Sequence, residues 1–378
     1  MRLLLFSALL HGYVAWRLLP ALPGPAWLTW LAAGLVALSA ASMPLALLAR
    51  RLRTRRLADR AGWAGGLAMG FFSSLFVLTL LRDAVLLVAA IAAAAAPSWD
   101  GFGALEAWSA SAVPAAALLA TLWGYVNARR TAAVVSVDVP IAGLPQALHG
   151  FRIAQISDIH VGPTIKRPYL QAIVQAVNRL EPDMVAVTGD LVDGSVPELG
   201  AHVAPLAALA SRHGTYFVTG NHEYYAGAEA WIAELRRLGV QVLLNEHVVL
   251  RHGGAALVVA GVTDYGAHHY DPAHRSDPQA AIAGAPRDAG ARVLLAHQPR
   301  SAEAAERAGF QLQLSGHTHG GQFLPWKWFV PLQQPFTAGL HRLRRLWVYT
   351  SRGTGYWGPP KRLGAPSEIT ALRLVPAP

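Results

Sequence analysis

Cysteine is absent from the chain, so disulfides and thiolate metal ligands are excluded and any polar site must be assembled from His, Asp, Glu, Asn or water. That absence leaves the compartment open, because exported proteins also can lack Cys. Acidic residues are scarce in the first 130 positions, where Asp59, Asp83, Asp100 and Glu106 stand against eleven Arg. This stretch carries +7 of the formal charge of +10, and residues 131–378 carry the remaining +3. So small a charge does not make the coherent basic track that a nuclease lays along a phosphate backbone, and no nucleic-acid partner is expected. No sustained heptad reports a coiled-coil partner, and the sequence names no protein partner.

What fills the first 130 residues is apolar. Runs at 3–22, 26–49, about 62–95 and about 108–128 are each long enough to cross roughly 30 Å of hydrocarbon as a helix, so a region of four transmembrane helices is expected over 1–130. The first run has the look of a signal peptide's apolar core, but Arg17 and Pro20 lead into another hydrophobic segment in place of a cleavage site. Six Arg crowd into Arg50–Arg60, and Arg129 and Arg130 follow the fourth run. Basic residues favour the cytoplasmic side, so four crossings would return both the N-terminus and the C-terminal domain to the cytoplasm. The expected location is the cytoplasmic (inner) membrane, multi-pass, with the C-terminal domain on its cytoplasmic face. Arg82 and Asp83 interrupt the third run; a helix end near the interface is the expectation, and a buried functional pair is the alternative.

From residue 147 the pattern changes to apolar strand-like runs alternating with helical ones, which is the grammar of a layered α/β domain. FRIAQIS, MVAVTG, TYFVTG, QVLL, HVVLR, AALVVAG, RVLLAH, LQLSG, WVYTS and EITALRLV read as strands, with helices after Pro168, near 197–211 and near 227–238. Residues 131–146 are read as a linker and 147–378 as the catalytic domain.

Short polar clusters end these strand-like runs: Asp158-x-His160, Gly189-Asp190-x-x-Asp193, Gly220-Asn221-His222-Glu223, Ala296-His297 and Gly316-His317-Thr318-His319. Open α/β sheets often place ligands at the carboxyl ends of strands, so these distant groups can converge on one edge. Together they offer oxygen and nitrogen ligands for two adjacent divalent metals. Gly189, Gly220 and Gly316 are expected to allow close backbone approach.

In this order, the clusters resemble the calcineurin-like metallophosphoesterase superfamily over roughly 147–375. Gly320-Gly321-Gln322, Ser351-Arg352-Gly353-Thr354-Gly355 and Trp357-Gly358-Pro359-Pro360 further resemble its membrane-associated, YkuE-like branch. The resemblance implies one metal on Asp158, His160, Asp190 and His319 and a second on Asp190, Asn221, His297 and His317, with Asp190 bridging. The metals would be two divalent ions, Mn or Zn, with Fe also compatible. Clamped phosphoryl oxygens and an acidified bridging water or hydroxide attacking phosphorus would follow. His222 resembles the family histidine that contacts substrate phosphate and protonates the leaving oxygen.

Other residues are weighed beside these. Arg352 is read as a bidentate contact to substrate oxygen or as a support for its glycine-rich loop. Asp193 is expected as a turn carboxylate, with ligand orientation the alternative, and Glu223 is read equally as the partner of an imidazole or as a loop cap. His268, His269 and His274 suggest a mobile surface loop, and Trp326, Trp328, Phe329 and Trp347 suggest packing or an interfacial belt. The expected protein is a dinuclear-metal-dependent phosphoric-ester hydrolase in the bilayer. Its partner would be a phosphoester, with a phospholipid or lipid-linked pyrophosphate made plausible by the tether. A lipid-linked pyrophosphohydrolase and a non-catalytic phosphate sensor or scaffold are the alternatives.

Overall fold

A computed structural model of the chain describes residues 2–45, 52, 54–96 and 99–378. The chain divides into two units, 1–127 together with 358–361, and 128–357 together with 362–378.

The first unit is helical: Arg2–Leu18, Ala26–Ser42, Arg55–Ala95 and Phe102–Arg129, the last running two residues into the second unit. By length and composition three helical stretches, Arg2–Ala21, Arg55–Ala95 and Phe102–Arg129, suffice to cross a membrane, and Ala26–Ser42 is shorter. The Arg-rich stretch expected as a loop is divided. Arg50, Arg51 and Arg53 lie outside the described residues, while Arg55, Arg56 and Arg60 open the Arg55–Ala95 helix. Helix continues there because nothing in 55–62 breaks it and Arg is a good helix former.

Polar groups inside this unit find one another. Arg82 is buried and donates from Nε to Ser109 Oγ at 2.9 Å, from Nη1 to the Arg17 carbonyl at 3.1 Å and from Nη2 to the Glu106 carbonyl at 3.0 Å. Asp83 accepts from the Tyr13 hydroxyl at 2.5 Å and from Arg17 Nε at 2.9 Å. Arg82 and Asp83 thus sit within a helix that continues to Ala95, in a network that gives each guanidinium nitrogen and both carboxylate oxygens a partner. Gly358–Lys361 also belongs here: Lys361 Nζ donates to the Gly70 carbonyl at 2.7 Å, Ser74 Oγ at 2.6 Å and Thr121 Oγ1 at 3.1 Å. Nothing in the sequence announced this small insertion.

The second unit holds two six-stranded sheets. The first runs β1-β12-β2-β3-β4-β5, from Ala133–Ile141, Glu368–Pro376, Arg152–Ile156, Met184–Val187, Thr215–Phe217 and Gln241–Val242. The second runs β10-β11-β9-β8-β7-β6, from Gly339–Leu343, Leu346–Thr350, Leu312–Ser315, Ala291–Leu295, Ala255–Gly261 and Glu246–His252. Ile153, Met184, Ala186 and Tyr216 of the first sheet share one core with Leu257, Val259, Val293 and Leu314 of the second. On the outer face of the first sheet, Leu170, Ile173, Val174 and Val177 of the Arg167–Asn178 helix are buried. Their spacing is that of one helical face, and Pro168 sits in the first turn, where its missing donor costs nothing. The Val196–Val203 helix begins with a capping box between Ser195 and Glu198.

All ten strand readings coincide with strands of these sheets. The stretch read as a linker does not remain one: Ala133–Ile141 pairs in parallel with β12, from Ala133 opposite Glu368 to Ile141 opposite Pro376. What this topology achieves is an alignment of endings. β2, β3 and β4 run parallel in neighbouring positions, as do β8 and β9, and each is followed within a few residues by one of the polar clusters.

Candidate metal centre

Several of the ligand candidates that follow the strands take up unusual backbone themselves. Asp158 (φ 53°), His160 (55°), Asp190 (52°), His317 (70°) and His319 (51°) all occupy left-handed backbone. Such geometry costs a non-glycine residue about 1–3 kcal/mol and is held only where the surroundings overdetermine it. Glycine supplies the room. A Cβ on Gly220 would overlap the Asp190 carboxylate, and one on Gly316 would overlap Ser157 and Asp158.

Three groups of side chains come close enough to share a cation: Asp158, His160 and His319; Asp190, His297 and His317; and His160, Asp193 and His222. His319 Nε2 lies 3.0 Å from His160 Nε2 and 3.5 Å from Asp158 Oδ1. His297 Nε2 lies 3.2 Å from Asp190 Oδ2 and 3.2 Å from His317 Nδ1. Asp190 Oδ2 is also 3.9 Å from His160 Nε2, so one carboxylate faces both of the first two groups. Asn221 Oδ1 is buried without a hydrogen-bond partner among the described residues. A buried carbonyl left unsatisfied costs about 1–3 kcal/mol, and a cation would relieve that cost. Oxygen and imidazole donors with a spare carbonyl fit hard or borderline divalent ions.

Hydrogen bonds behind these groups fix their orientation. His297 Nδ1 donates to the Thr188 carbonyl at 2.8 Å, which turns Nε2 toward Asp190. Asp193 Oδ1 accepts from His160 Nδ1 at 3.1 Å and from His222 Nδ1 at 2.6 Å, so this carboxylate orients two imidazoles and is not the simple turn residue expected. Glu223 accepts from the backbone N–H groups of Gly220 (2.7 Å), Asp190 (3.0 Å) and Leu191 (2.8 Å). The loop-cap reading therefore holds for Glu223, and the imidazole-orienting role belongs to Asp193.

Charge follows the same geometry. Burial favours neutral groups, but the Asp190 carboxylate outweighs it at His297 and holds that imidazole well above its ordinary range. Burial likewise opposes charge on Asp190, yet His297, His222 and His160 bring its carboxyl well below the usual range. Burial presses His317 down to about 3, and burial with Arg362 lowers His319. For His222 burial is overcome by the Asp193 hydrogen bond and by Asp190, and its pKa rises. Glu223, buried and beside Asp190, is pushed up to about 7. On His297 a proton and a cation compete for the same lone pair.

The Calcineurin-like phosphoesterase family matches residues 151–321. A transmembrane protein with metallophosphoesterase domain from Bos taurus is 42% identical over 316 residues, covering 80% of this chain and 70% of that protein. The chain belongs to the calcineurin-like phosphoesterase family. Its counterpart of the same description in Danio rerio is 41% identical over 264 residues, 68% of this chain, and the chain spans 60% of that relative. The uncharacterized metallophosphoesterase YkuE of Bacillus subtilis is 29% identical over 242 residues, covering 61% of this chain and 81% of YkuE.

Within this phosphoesterase, Arg352 has two readings, substrate contact and loop support, and its side chain, 30% exposed, is paired with Glu368. Its Nη2 is 2.5 Å from Glu368 Oε2 and its N–H donates to Glu368 Oε1 at 3.0 Å, because the turn after β11 lies against the start of β12. That arrangement matches the loop-support alternative. Among the described residues His268 and His269 join no cation-sized group, and the loop they sit on is tied at His274, whose Nδ1 meets the Tyr224 hydroxyl at 2.8 Å. Trp347 is a packing residue, with Nε1 donating to the Pro140 carbonyl at 2.7 Å, whereas Trp326, Trp328 and Phe329 are exposed.

Arg362 escaped the sequence reading altogether. Fully buried, it donates from Nη1 to the His319 carbonyl at 2.8 Å and from Nη2 toward His319 Nδ1 at 3.0 Å. A guanidinium has only donors, so His319 Nδ1 accepts. No motif carries that signal: Arg362 is separated from His319 along the chain and comes to it only through the turn that leads into β12.

Proposed function

We propose that the protein hydrolyses phosphoric esters at a membrane with two divalent metals, using its strand-end cluster as the active site. The observation that carries this reading is Asp190. Its Oδ2 stands 3.2 Å from His297 Nε2 and 3.9 Å from His160 Nε2, so one carboxylate borders both halves of the cluster. Asp158, His160, Asp190 and His319 would hold one ion, and Asp190, Asn221, His297 and His317 the other. When bound, the ions would neutralise phosphoryl oxygens and acidify the attacking water.

The side chains do the rest. His222, fixed at Nδ1 by Asp193, keeps Nε2 for the substrate. It binds a phosphoryl oxygen and hands its proton to the departing alkoxide. Water oxygen bonds to phosphorus, the bond from phosphorus to the leaving oxygen breaks, the leaving oxygen gains the His222 proton, and the proton lost by water passes to solvent. Asn221 lies beside His222 at the start of its short helix and assists the substrate contact. Arg352, neutralised by Glu368, acts by holding the adjoining loop. The Arg129 and Arg130 pair supports a cytoplasmic catalytic domain, which faces phospholipid headgroups or lipid-linked pyrophosphates as readily as soluble esters.

The test uses purified full-length protein and a panel of phosphomonoesters, phosphodiesters and lipid-linked pyrophosphates, with Mn or Zn, with chelator, and with Asp190→Asn in parallel. Metal-dependent turnover, lowered at least about a thousandfold in the variant, is the expected result. Turnover that survives chelation and Asp190→Asn alike would refute the site, and metal binding without hydrolysis of any ester would favour the sensor reading.

A further inference from the structure

Around His222 the surface is aromatic. The ring of Tyr225 lies 5.1 Å from the imidazole at 59°, and that of Trp357 lies 5.8 Å away at 77°, close to edge-on. Tyr270 extends the wall, 5.6 Å from Tyr225 and 5.9 Å from Tyr224. Single exposed apolar residues are ordinary on a protein surface. Here Tyr225 (50% exposed) and Trp357 (51%) flank one imidazole that is itself only 8% exposed, and Tyr270 (57%) continues from Tyr225.

The backbone and neighbours that carry these rings are anchored. The Trp357 backbone is clamped by Gln322, whose Oε1 accepts from the Trp357 N–H at 2.8 Å and whose Nε2 donates to its carbonyl at 2.8 Å. Tyr224, next to Tyr225, has its hydroxyl fixed by His274 Nδ1 at 2.8 Å. The Tyr270 turn is anchored by Thr263 Oγ1 donating to the His274 carbonyl at 2.8 Å. Half-exposed rings carried on anchored backbone form an apolar wall, and the less such a wall must be ordered on binding, the lower the entropic cost.

Resting on the hydrolase reading above, we propose that Tyr225, Tyr270 and Trp357 form the leaving-group subsite, and that the substrate is a phosphodiester whose departing alcohol carries an apolar or flat face. The group that accepts the His222 proton must lie over that imidazole, and there it meets Tyr225 and Trp357 before it reaches solvent. A small polar alcohol gains nothing from such walls. A nucleoside can stack on them, and the glycerol end of a lipid can bury its first acyl carbons against them.

Three diesters of methyl phosphate test this with matched chemistry, since each leaving group departs as a primary alkoxide: glycerol, adenosine through its 5′ oxygen, and dihexanoylglycerol. Metal-loaded full-length protein is expected to favour adenosine or dihexanoylglycerol over glycerol by about tenfold or more in kcat/KM, and the preferred arm identifies the source of the apolar face. Tyr225→Ala and Trp357→Ala should collapse that preference toward parity, whereas Tyr225→Phe and Trp357→Phe should keep most of it. Metal stoichiometry and the melting temperature of each variant separate lost recognition from lost fold. Equal wild-type turnover of all three esters, or a preference untouched in both folded alanine variants, overturns the subsite alone. No turnover of these three diesters by metal-loaded wild type that hydrolyses other members of the panel above overturns the subsite and the diester assignment, and no turnover of any member of that panel overturns the hydrolase reading with them.

Discussion

Two sets of buried polar groups in this chain obey opposite rules. In the helical unit each guanidinium nitrogen of Arg82 and both oxygens of Asp83 meet a partner from a neighbouring segment, with Ser109, Glu106, Arg17 and Tyr13 completing the set. At the strand ends, imidazoles face imidazoles, the Asn221 carbonyl has no partner among the described residues, and five ligand candidates sit in left-handed backbone. A satisfied network is what a stable fold selects, because unpaired polar groups are expensive in a low-dielectric interior. Crowded, strained and unpaired groups persist only when something else repays them, and a ligand is the simplest such agent. Charge in the apolar helices is therefore structural here, and the mismatch at the strand ends marks the chemistry.

The largest effect that sharpens this contrast lies at His222. If His222 acts on substrate and is not a ligand, His222→Ala lowers kcat by about a hundredfold to ten-thousandfold while the protein still binds two metals per chain, as counted by elemental analysis. Loss of a metal in step with activity would move His222 into the ligand set. Its Nε2 would then be the ligating atom, with Nδ1 still donating to Asp193 at 2.6 Å.

Much of this was legible along the chain. Strand-ending motifs can be read because apolar runs of β character stop abruptly at Asp, Asn and His, and a parallel sheet brings such ends together. What stayed hidden depends on approach across the fold. Ala133–Ile141 passed for a linker because its N-terminal half lies exposed or half-buried and its partner β12 is the last strand of the chain. Gly339–Leu343 was missed for a similar reason, since each of its residues stays exposed or half-buried. Asp193 and Glu223 were noticed, but their tasks could be separated only once distances showed which one faces imidazoles and which one faces backbone amides. Arg352 and Arg362 illustrate the same limit in reverse. The arginine in the recognisable glycine-rich motif is neutralised by Glu368, and the one outside any motif reaches a candidate ligand.

A smaller effect is expected at that second arginine. Because Arg362 donates to His319 Nδ1, the neutral ring carries its proton on Nε2, the atom that faces His160 and Asp158, and changes to groups behind a ligand typically shift metal affinity by about tenfold to a hundredfold. Arg362→Met removes the donor that opposes ligation through Nε2 and should tighten Mn binding by that factor in a competition titration, with the second ion, on the Asp190, Asn221, His297 and His317 side, held as before. Because Arg362 also donates to the Gly355, Arg352 and Ala365 carbonyls, the melting temperature of the metal-free variant must be read beside the affinity. Weakening at both metal positions would mean that the substitution loosened the whole turn instead of freeing one ligand.

The smallest effect on turnover belongs to the helical unit, and there the contrast is most easily broken. Asp83→Asn keeps the shape of the side chain but removes the charge that accepts from Tyr13 and Arg17. The loss of charged hydrogen bonds should cost about 1.5–3 kcal/mol of stability, seen as a lower melting temperature of the detergent-purified protein. Its kcat on a soluble phosphodiester should stay within about twofold, because a structural network alters how much protein is folded and not what the folded protein does. A protein that melts as the wild type does yet turns over far more slowly would show the opposite. Asp83 would then belong with the unpaired groups of the strand ends, as a functional charge held inside apolar helices.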